Sequence, residues 1–221
     1  MPAKMDEIIK LLVNDPYLVA KAVGFKDFRE WPHNDWLKKI LFADNTVTTI
    51  QAHRGSYKTT ALSVAVALFM VMYPTKTIFL VRKTEGDVAT FVSQVKNILG
   101  NQVLREMAKA LYGIDLRFSK SSMLSLDTNL NSGVKGAYQF DTVSLSGSLT
   151  GKHADWVITD DIVTLRDRIS RAEREHTKEM YMELQNVVNR GGRITNLGTP
   201  WHKEDAFQLM GEIDRYSIYD T

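Results

Sequence analysis

The sequence predicts an α/β fold with a central, mostly parallel β-sheet flanked by helices, and three observations predict it. The β-branched run Thr46, Val47, Thr48, Thr49, Ile50 reads as a buried strand, and residues 61–72 follow as an apolar run of helical length. Residues 76–82 (KTIFLVR) read as another buried strand, again followed by a helical pattern at 88–99. A later apolar strand, 156–159, closes on Asp160 and Asp161, and one more buried strand follows at 193–197. Strands alternating with helices in this way call for a parallel sheet.

Length and composition bound the rest. A chain of 221 residues can hold one large domain or two small ones. A net charge of +2 neither demands nor excludes nucleic acid, since a mainly electrostatic DNA binder carries a stronger or more concentrated positive charge. The absence of cysteine excludes disulfides, thiolate metal sites and thiol redox chemistry, and fits a reducing cytoplasm. The five histidines show no paired-ligand spacing, which argues against a structural zinc site. The N-terminus lacks the uninterrupted apolar core of a signal peptide. The apolar run near residues 61–73 is too short to span a bilayer, so no membrane partner is expected.

Apolar spacing over residues 5–23 predicts two short helices, with Asp15 capping and Pro16 opening the second. Pro32 is expected to open a helix through Trp36, Leu37, Ile40, Leu41 and Phe42. The aromatic stretch 28–37 has two readings: a surface helix packed on the core, or a wall for a flat base, with Arg29, Trp31 and Asn34 as candidates.

The centre of the chain is Ala52, His53, Arg54, Gly55, Ser56, Tyr57, Lys58, Thr59, Thr60, set between the first strand and the first long helix. Strand, short loop, Lys-Thr, helix is the layout of a phosphate-binding loop. A helix N-terminus offers free N–H groups and the positive end of the dipole. Lys58 would reach the phosphates, the Thr59 hydroxyl would ligate Mg²⁺, and Arg54 adds a cation. Ala52 and Tyr57 stand where the G-x-x-x-x-G-K-[ST] pattern has glycine. Gly55, two residues before Tyr57, is expected to supply the backbone freedom. A Lys-Thr pair opening a helix also occurs with no phosphate partner, so the other segments decide.

Beyond the second strand, residues 84–87 read as a capped turn, 88–99 as a helix with Gly100 as its C-cap, and 103–112 as another helix. Residues 116–128 read as a strand pair, 133–139 as a further strand and 140–146 as strand or loop. Acids at the C-terminal end of a central strand lie at the ligand edge of an open α/β sheet. There Asp160 would hold Mg²⁺ and Asp161 would orient or deprotonate an attacking water; the alternative is that both cap the next turn. Residues 166–189 read as one or two charged helices, buried through Leu165, Ile169, Met180, Leu184 and Val187 and ended by Gly191-Gly192. The strand at 193–197 leads into Gly198, Thr199 and Pro200, where Thr195, Asn196 or Thr199 could sense a phosphate; an ordinary turn is the alternative. Residues 201–221 give a short helix and the start of a strand.

In this order the segments at 31–37, 52–59, 149–161 and 195–200 resemble the ATPase domain of the large terminase subunits of tailed double-stranded DNA bacteriophages, over about residues 28–201. The resemblance implies a P-loop NTPase of the additional-strand, RecA-like type, using ATP and Mg²⁺. Residues 1–45 would form a helical segment with the adenine-side motif (Trp31, Asn34) inside the same domain, and 46–221 the ATPase core. Gly198, Thr199 and Pro200 would couple hydrolysis to movement, and Lys152, where the family often has Arg, is one candidate for a basic residue acting on a neighbouring subunit's nucleotide; Arg166, Arg168, Arg171 and Arg174 are others, and the sequence does not select among them. The implied activity is packaging of double-stranded DNA through a portal protein into a procapsid, with a small terminase subunit as partner. The implied assembly is a homo-oligomeric ring, expected to be a pentamer, formed in the host cytoplasm and transiently at the portal vertex. The C-terminal nuclease of the family is expected to be absent, so no nuclease activity is expected from these residues. The competing readings are a helicase-like ATPase and a nucleotide-binding scaffold module.

Overall fold

The computed structural model describes residues 2–133, 136–217 and 219. In chain order the elements are α1 (Pro2–Asn14), α2 (Pro16–Ala22), α3 (Asp35–Phe42), β1 (Val47–Ala52), α4 (Lys58–Met72), β2 (Ile78–Arg82), α5 (Glu85–Gly100), α6 (Gln102–Tyr112), β3 (Phe118–Ser121), β4 (Ser125–Thr128), β5 (Phe140–Ser144), β6 (Ala154–Asp160), α7 (Leu165–Ile169), α8 (Arg171–Leu184), β7 (Val188–Gly198) and β8 (Ile213–Tyr216). The strands form one sheet in the order β3-β4-β5-β2-β6-β7-β1-β8. The pairings from β5 through β8 are all parallel, and the β3–β4 and β4–β5 pairings are antiparallel, so β4 alone runs against the other strands.

Alternation along the strands gives each face its own core. Ile78 and Leu80 of β2 and Trp156 and Ile158 of β6 pack under α3, α4, α5 and α6. Phe79, Val81 and Val157 face the other way, against Tyr181, Leu184 and Phe207. The helix α4 is apolar around its whole circumference, and every residue from Ala61 to Val71 is buried. It is a central helix held by burial rather than by an amphipathic stripe. Leu12, Val19 and Ala20 of α1 and α2 join the same core.

Several local expectations meet different physics. The helix pair around Pro16 forms, but the Asp15 side chain makes no cap bond. Gly100 is the last residue of α5 rather than its cap; Asn101 ends α5 and caps α6 through Val103 N–H. No strand forms at residue 133 or 136–139, and residues 134 and 135 lie outside the described set. Gln139 holds that irregular segment instead: its carbonyl accepts from Thr128 N–H and Oγ1, and its amide donates to the carbonyls of Met70 and Pro74.

The charged stretch after residue 165 divides into α7 and α8, and α8 stops at Leu184. The strand β7 then begins at Val188 and runs through Gly191-Gly192, the pair expected to end a helix. Glycine serves there for close strand approach: a Cβ at Gly192 would sit 2.7 Å from the Asp155 carbonyl. Leu165 and Ile169, expected to be buried, are 48% and 77% exposed. Arg174, Thr177 and Tyr181 face inward in their place. The Arg174 guanidinium satisfies the carbonyl of Asp167 at 2.8 Å, which makes its burial tolerable.

Candidate functional site

The parallel order brings the C-terminal ends of β1, β7, β6 and β2 to one edge, and in-register pairing sets adjacent side chains there. Arg82 lies opposite Asp160, and Asp160 opposite Leu197, whose β1 partner is Ile50. β1 carries the loop and β6 carries the acids, and β7 lies between them. This interposed strand defines the additional-strand arrangement.

The loop from β1 to α4 bends twice through left-handed backbone. Gly55 has φ 81°, as expected for a residue without Cβ, and Tyr57 itself has φ 62° and ψ 17°. Tyr57 therefore adopts the conformation that glycine provides more easily, and its side chain projects outward. It is 45% exposed, with its hydroxyl 3.2 Å from Asp27 Oδ2 and its ring near Phe28 and His33. No side chain caps α4, so the N-terminal N–H groups of that helix have no side-chain acceptor. Ser56 Oγ donates to the His53 carbonyl, and the Thr199 hydroxyl donates to the Ala52 carbonyl, so the loop base is tied to the end of β7.

Lys58 opens α4, is 5% exposed, and points its ammonium at Asp161 Oδ1 at 3.5 Å. The Thr59 hydroxyl reaches Asp160 Oδ1 at 3.3 Å. Asp160 is fully buried, and its Oδ2 lies 3.0 Å from Arg82 Nε. These two atoms form an ion pair without the alignment of a hydrogen bond, and neither has another hydrogen-bond partner. Burial pushes the Asp160 carboxyl up to about 6; Arg82 opposes this most strongly, Asp161 adds to it, and Lys58 and Thr59 oppose it. Asp161 is strained at φ 49°, half exposed, and anchored by its N–H to the Leu197 carbonyl. A buried carboxylate beside a hydroxyl is a donor set suited to Mg²⁺, which takes few protein ligands and completes its shell with phosphate and water. Among the described residues there is no group of three or more His, Cys, Asp or Glu that could hold a metal without such help.

A cleft of ≈ 420 Å³ is lined by Arg54 through Thr60 and by Asp161. A larger one of ≈ 750 Å³ shares Arg54 and Asp161 and adds Arg82, Lys83, Arg166 and His176. The Arg54 guanidinium stacks over Trp201 at 4.6 Å, beside both clefts. The structure thus brings together Arg54, Gly55, Ser56, Tyr57, Lys58, Thr59, Thr60, Asp160 and Asp161, with Ala52, His53 and Thr199 immediately adjacent. Gly198 packs tightly there: a Cβ on it would meet Phe207 Cζ at 2.8 Å.

Other candidates lie elsewhere. Asn34 is buried with its amide donating to the Asn14 carbonyl and accepting from Tyr17 N–H, so it joins α1 to α2 and is turned away from a base. Trp31 is 55% exposed and leans on the Tyr216 ring at 5.8 Å, beside an apolar slot formed by Ala52, His53, Pro200 and Tyr216. Thr195 Oγ1 accepts from Trp156 Nε1. Asn196 is fully buried, bridging Thr49, Thr159 and Tyr181. Neither of these two is free to meet a phosphate. Lys152 forms an ion pair with Asp141 and lies over the Phe79 ring, which ties its ammonium within its own chain. Sequence reasoning missed Arg82, although the end of a strand at the acidic edge was the signal that could have found it. It also gave His33 no role of its own.

No protein-family model and no curated protein matches the chain. Solved structures do. The large terminase of bacteriophage HK97 is 12% identical with a TM-score of 0.54, over 82% of this chain and 36% of that one. The large terminase of the thermophilic bacteriophage D6E is 13% identical with a TM-score of 0.51, over 84% and 46%. The chain therefore has an additional-strand, RecA-like α/β fold, and it shares that fold with large terminases of bacteriophages. It spans less than half the length of those two proteins. Among the described residues, no helix is long and apolar enough to cross a membrane.

Proposed function

We propose that this chain is the ATP-hydrolysing motor domain of a viral terminase large subunit, powering entry of double-stranded DNA into a procapsid. One observation carries the reading: a buried lysine at the head of an uncapped helix meets a strained carboxylate just past the end of the acid strand β6, beside a cleft of ≈ 420 Å³. Buried ammonium groups need anionic partners, and a single carboxylate at 3.5 Å leaves room for more.

In this reading the N–H groups at the start of α4 and the Lys58 ammonium bind the phosphates, and Arg54 adds charge from the loop. Thr59 and Asp160 would hold Mg²⁺, which when bound neutralises charge developing on the phosphates. Asp161, exposed to the cleft and anchored by its own backbone, orients the attacking water. Thr199, bonded to the Ala52 carbonyl, links the loop to the end of β7 and is the group through which phosphate state would reach the sheet. Trp31 is the exposed aromatic available to a base, and no role in a neighbouring subunit is given to Lys152. Residues 1–45 and 46–221 act as one unit in this proposal. DNA, a portal protein, a small terminase subunit and sister copies in a pentameric ring are its partners, met in the host cytoplasm and at the portal vertex.

Lys58→Ala and Asp161→Asn are each expected to abolish ATP turnover in the full-length enzyme assembled on procapsids. Normal turnover in either variant refutes the assignment. Stimulation by single-stranded nucleic acid, without any by procapsids and portal, would favour a helicase-like ATPase instead.

A further inference from the structure

The loop faces a conformational problem that its own sequence does not solve. Residue 57 has to stay left-handed although tyrosine disfavours that region, and α4 has no capping side chain to hold it. The neighbouring segment supplies a constraint. His33 and Ser56 are both buried, at 4% and 3% exposure, and His33 Nε2 lies 3.2 Å from the Ser56 carbonyl oxygen. The other ring nitrogen, Nδ1, is 2.9 Å from Arg29 N–H. That N–H can only donate, so Nδ1 accepts, and in a neutral ring the proton sits on Nε2. The Nε2–H therefore donates to Ser56 O. Burial keeps the ring pKa below its ordinary 6.5, consistent with a neutral imidazole.

The ring is also fixed in orientation. It stacks on Phe28 at 4.6 Å and meets Trp36 edge-on at 5.4 Å and Tyr57 edge-on at 6.1 Å. The 56–57 peptide is trans, as is every described peptide except Trp31–Pro32. In a trans peptide the C=O and the N–H point in opposite directions. Holding the Ser56 carbonyl against His33 therefore turns the Tyr57 N–H away from His33. Within the chain that N–H has no hydrogen-bond acceptor among the described residues. The cleft lined by Arg54 through Thr60 lies along the same stretch.

We infer that His33 is a positioning residue for anion binding: by holding the Ser56 carbonyl, it presents the Tyr57 N–H to the phosphate groups of a nucleotide and keeps the glycine-less loop in its binding shape. This rests on the nucleotide reading above. It assigns the Trp31–Trp36 segment a task distinct from contacting a base, and it explains how the loop works with a tyrosine where glycine is the usual solution.

The test uses the full chain and calorimetric titration with MgADP, which is not turned over. His33→Phe keeps an aromatic ring but no donor, and affinity is expected to fall about tenfold, the scale of one lost hydrogen bond. His33→Gln places an amide N–H near the Nε2 position and is expected to recover most of that loss. His33→Asn, whose amide sits near Nδ1 and falls short of Ser56, is not. If the Phe variant fails to fold, the Gln–Asn contrast decides. In wild type, inorganic pyrophosphate should move the Tyr57 amide proton resonance downfield, and in a folded His33→Phe or His33→Asn variant it should not. Equal affinities for wild type and the donor-less variants, with Lys58→Ala silent, overturn the role of His33 alone. A wild type that binds neither MgADP nor pyrophosphate overturns the nucleotide reading as well.

Discussion

Asp160→Asn should gain stability on wild type as pH rises toward neutral, although it removes a residue placed at the centre of the site. The reasoning starts from the carboxyl's raised proton affinity, 3.8 ordinarily and about 6 here, caused first by burial. Each tenfold change in proton affinity is worth about 1.4 kcal/mol, so the ionised form costs the fold about 3 kcal/mol relative to the protonated one. Between these two values the folded chain holds a proton that the unfolded chain has released. Stability from this group is thus complete below 3.8 and is lost as pH rises through about 6. Asparagine cannot ionise, so the variant lacks this loss. The Arg82 guanidinium loses its partner in the variant, but arginine stays charged throughout, so that cost does not vary with pH. Urea unfolding of both proteins from about pH 4 to about pH 7.5 reads the difference, and other carboxylates cancel in it. The variant should gain about 3 kcal/mol on wild type, mostly between about pH 4 and about pH 6.5. Parallel stability curves, or a wild type that gains on the variant as pH rises, would refute the reasoning.

Three further predictions concern the frame around the site. Tyr57→Gly should melt higher than Tyr57→Ala, reversing the usual preference for alanine beside a helix, because only glycine relaxes at φ 62°; thermal unfolding ranks the pair. Gly198→Ala should cost about 1–3 kcal/mol by driving a methyl into the buried Phe207 ring, read by urea unfolding, and Phe207→Leu should recover part of it. Asn196→Ala should cost about 2–4 kcal/mol, since it strands the hydroxyls of Thr159 and Tyr181 in the core, while Thr49 keeps its bond to the Met210 carbonyl; the same measurement applies.

What the sequence made legible follows from the range of the forces involved. The alternation of apolar strands and helices is local, so β1, β2, β6 and most helices stand where the pattern predicts. Lys58, Thr59, Asp160 and Asp161 were legible because each sits at the end of such an element, and the parallel sheet places those ends together. Interactions between distant segments were not legible. Asn34 looked like a ligand contact because its bonds to Asn14 and Tyr17 depend on how α1 meets α2. Lys152 looked available because its partner Asp141 lies on another strand. Gly191-Gly192 read as a stop signal because the reason for glycine there, the close approach of Asp155, comes from β6.

The interposed strand β7 has one more consequence. Neighbouring strands lie about 4.8 Å apart, a spacing set by backbone hydrogen bonds, so β1 and β6 are held about 10 Å from each other whatever their side chains are. The distance between loop and acids is therefore a property of the peptide backbone, in the way that the rungs of a ladder fix the distance between its rails. Most of the chain's residues can drift without changing that dimension. A shared fold at 12–13% identity with two phage proteins is what such a yardstick permits. The drift then concentrates in how each sequence holds its loop to the fixed measure, which in this chain falls to a histidine and a tyrosine.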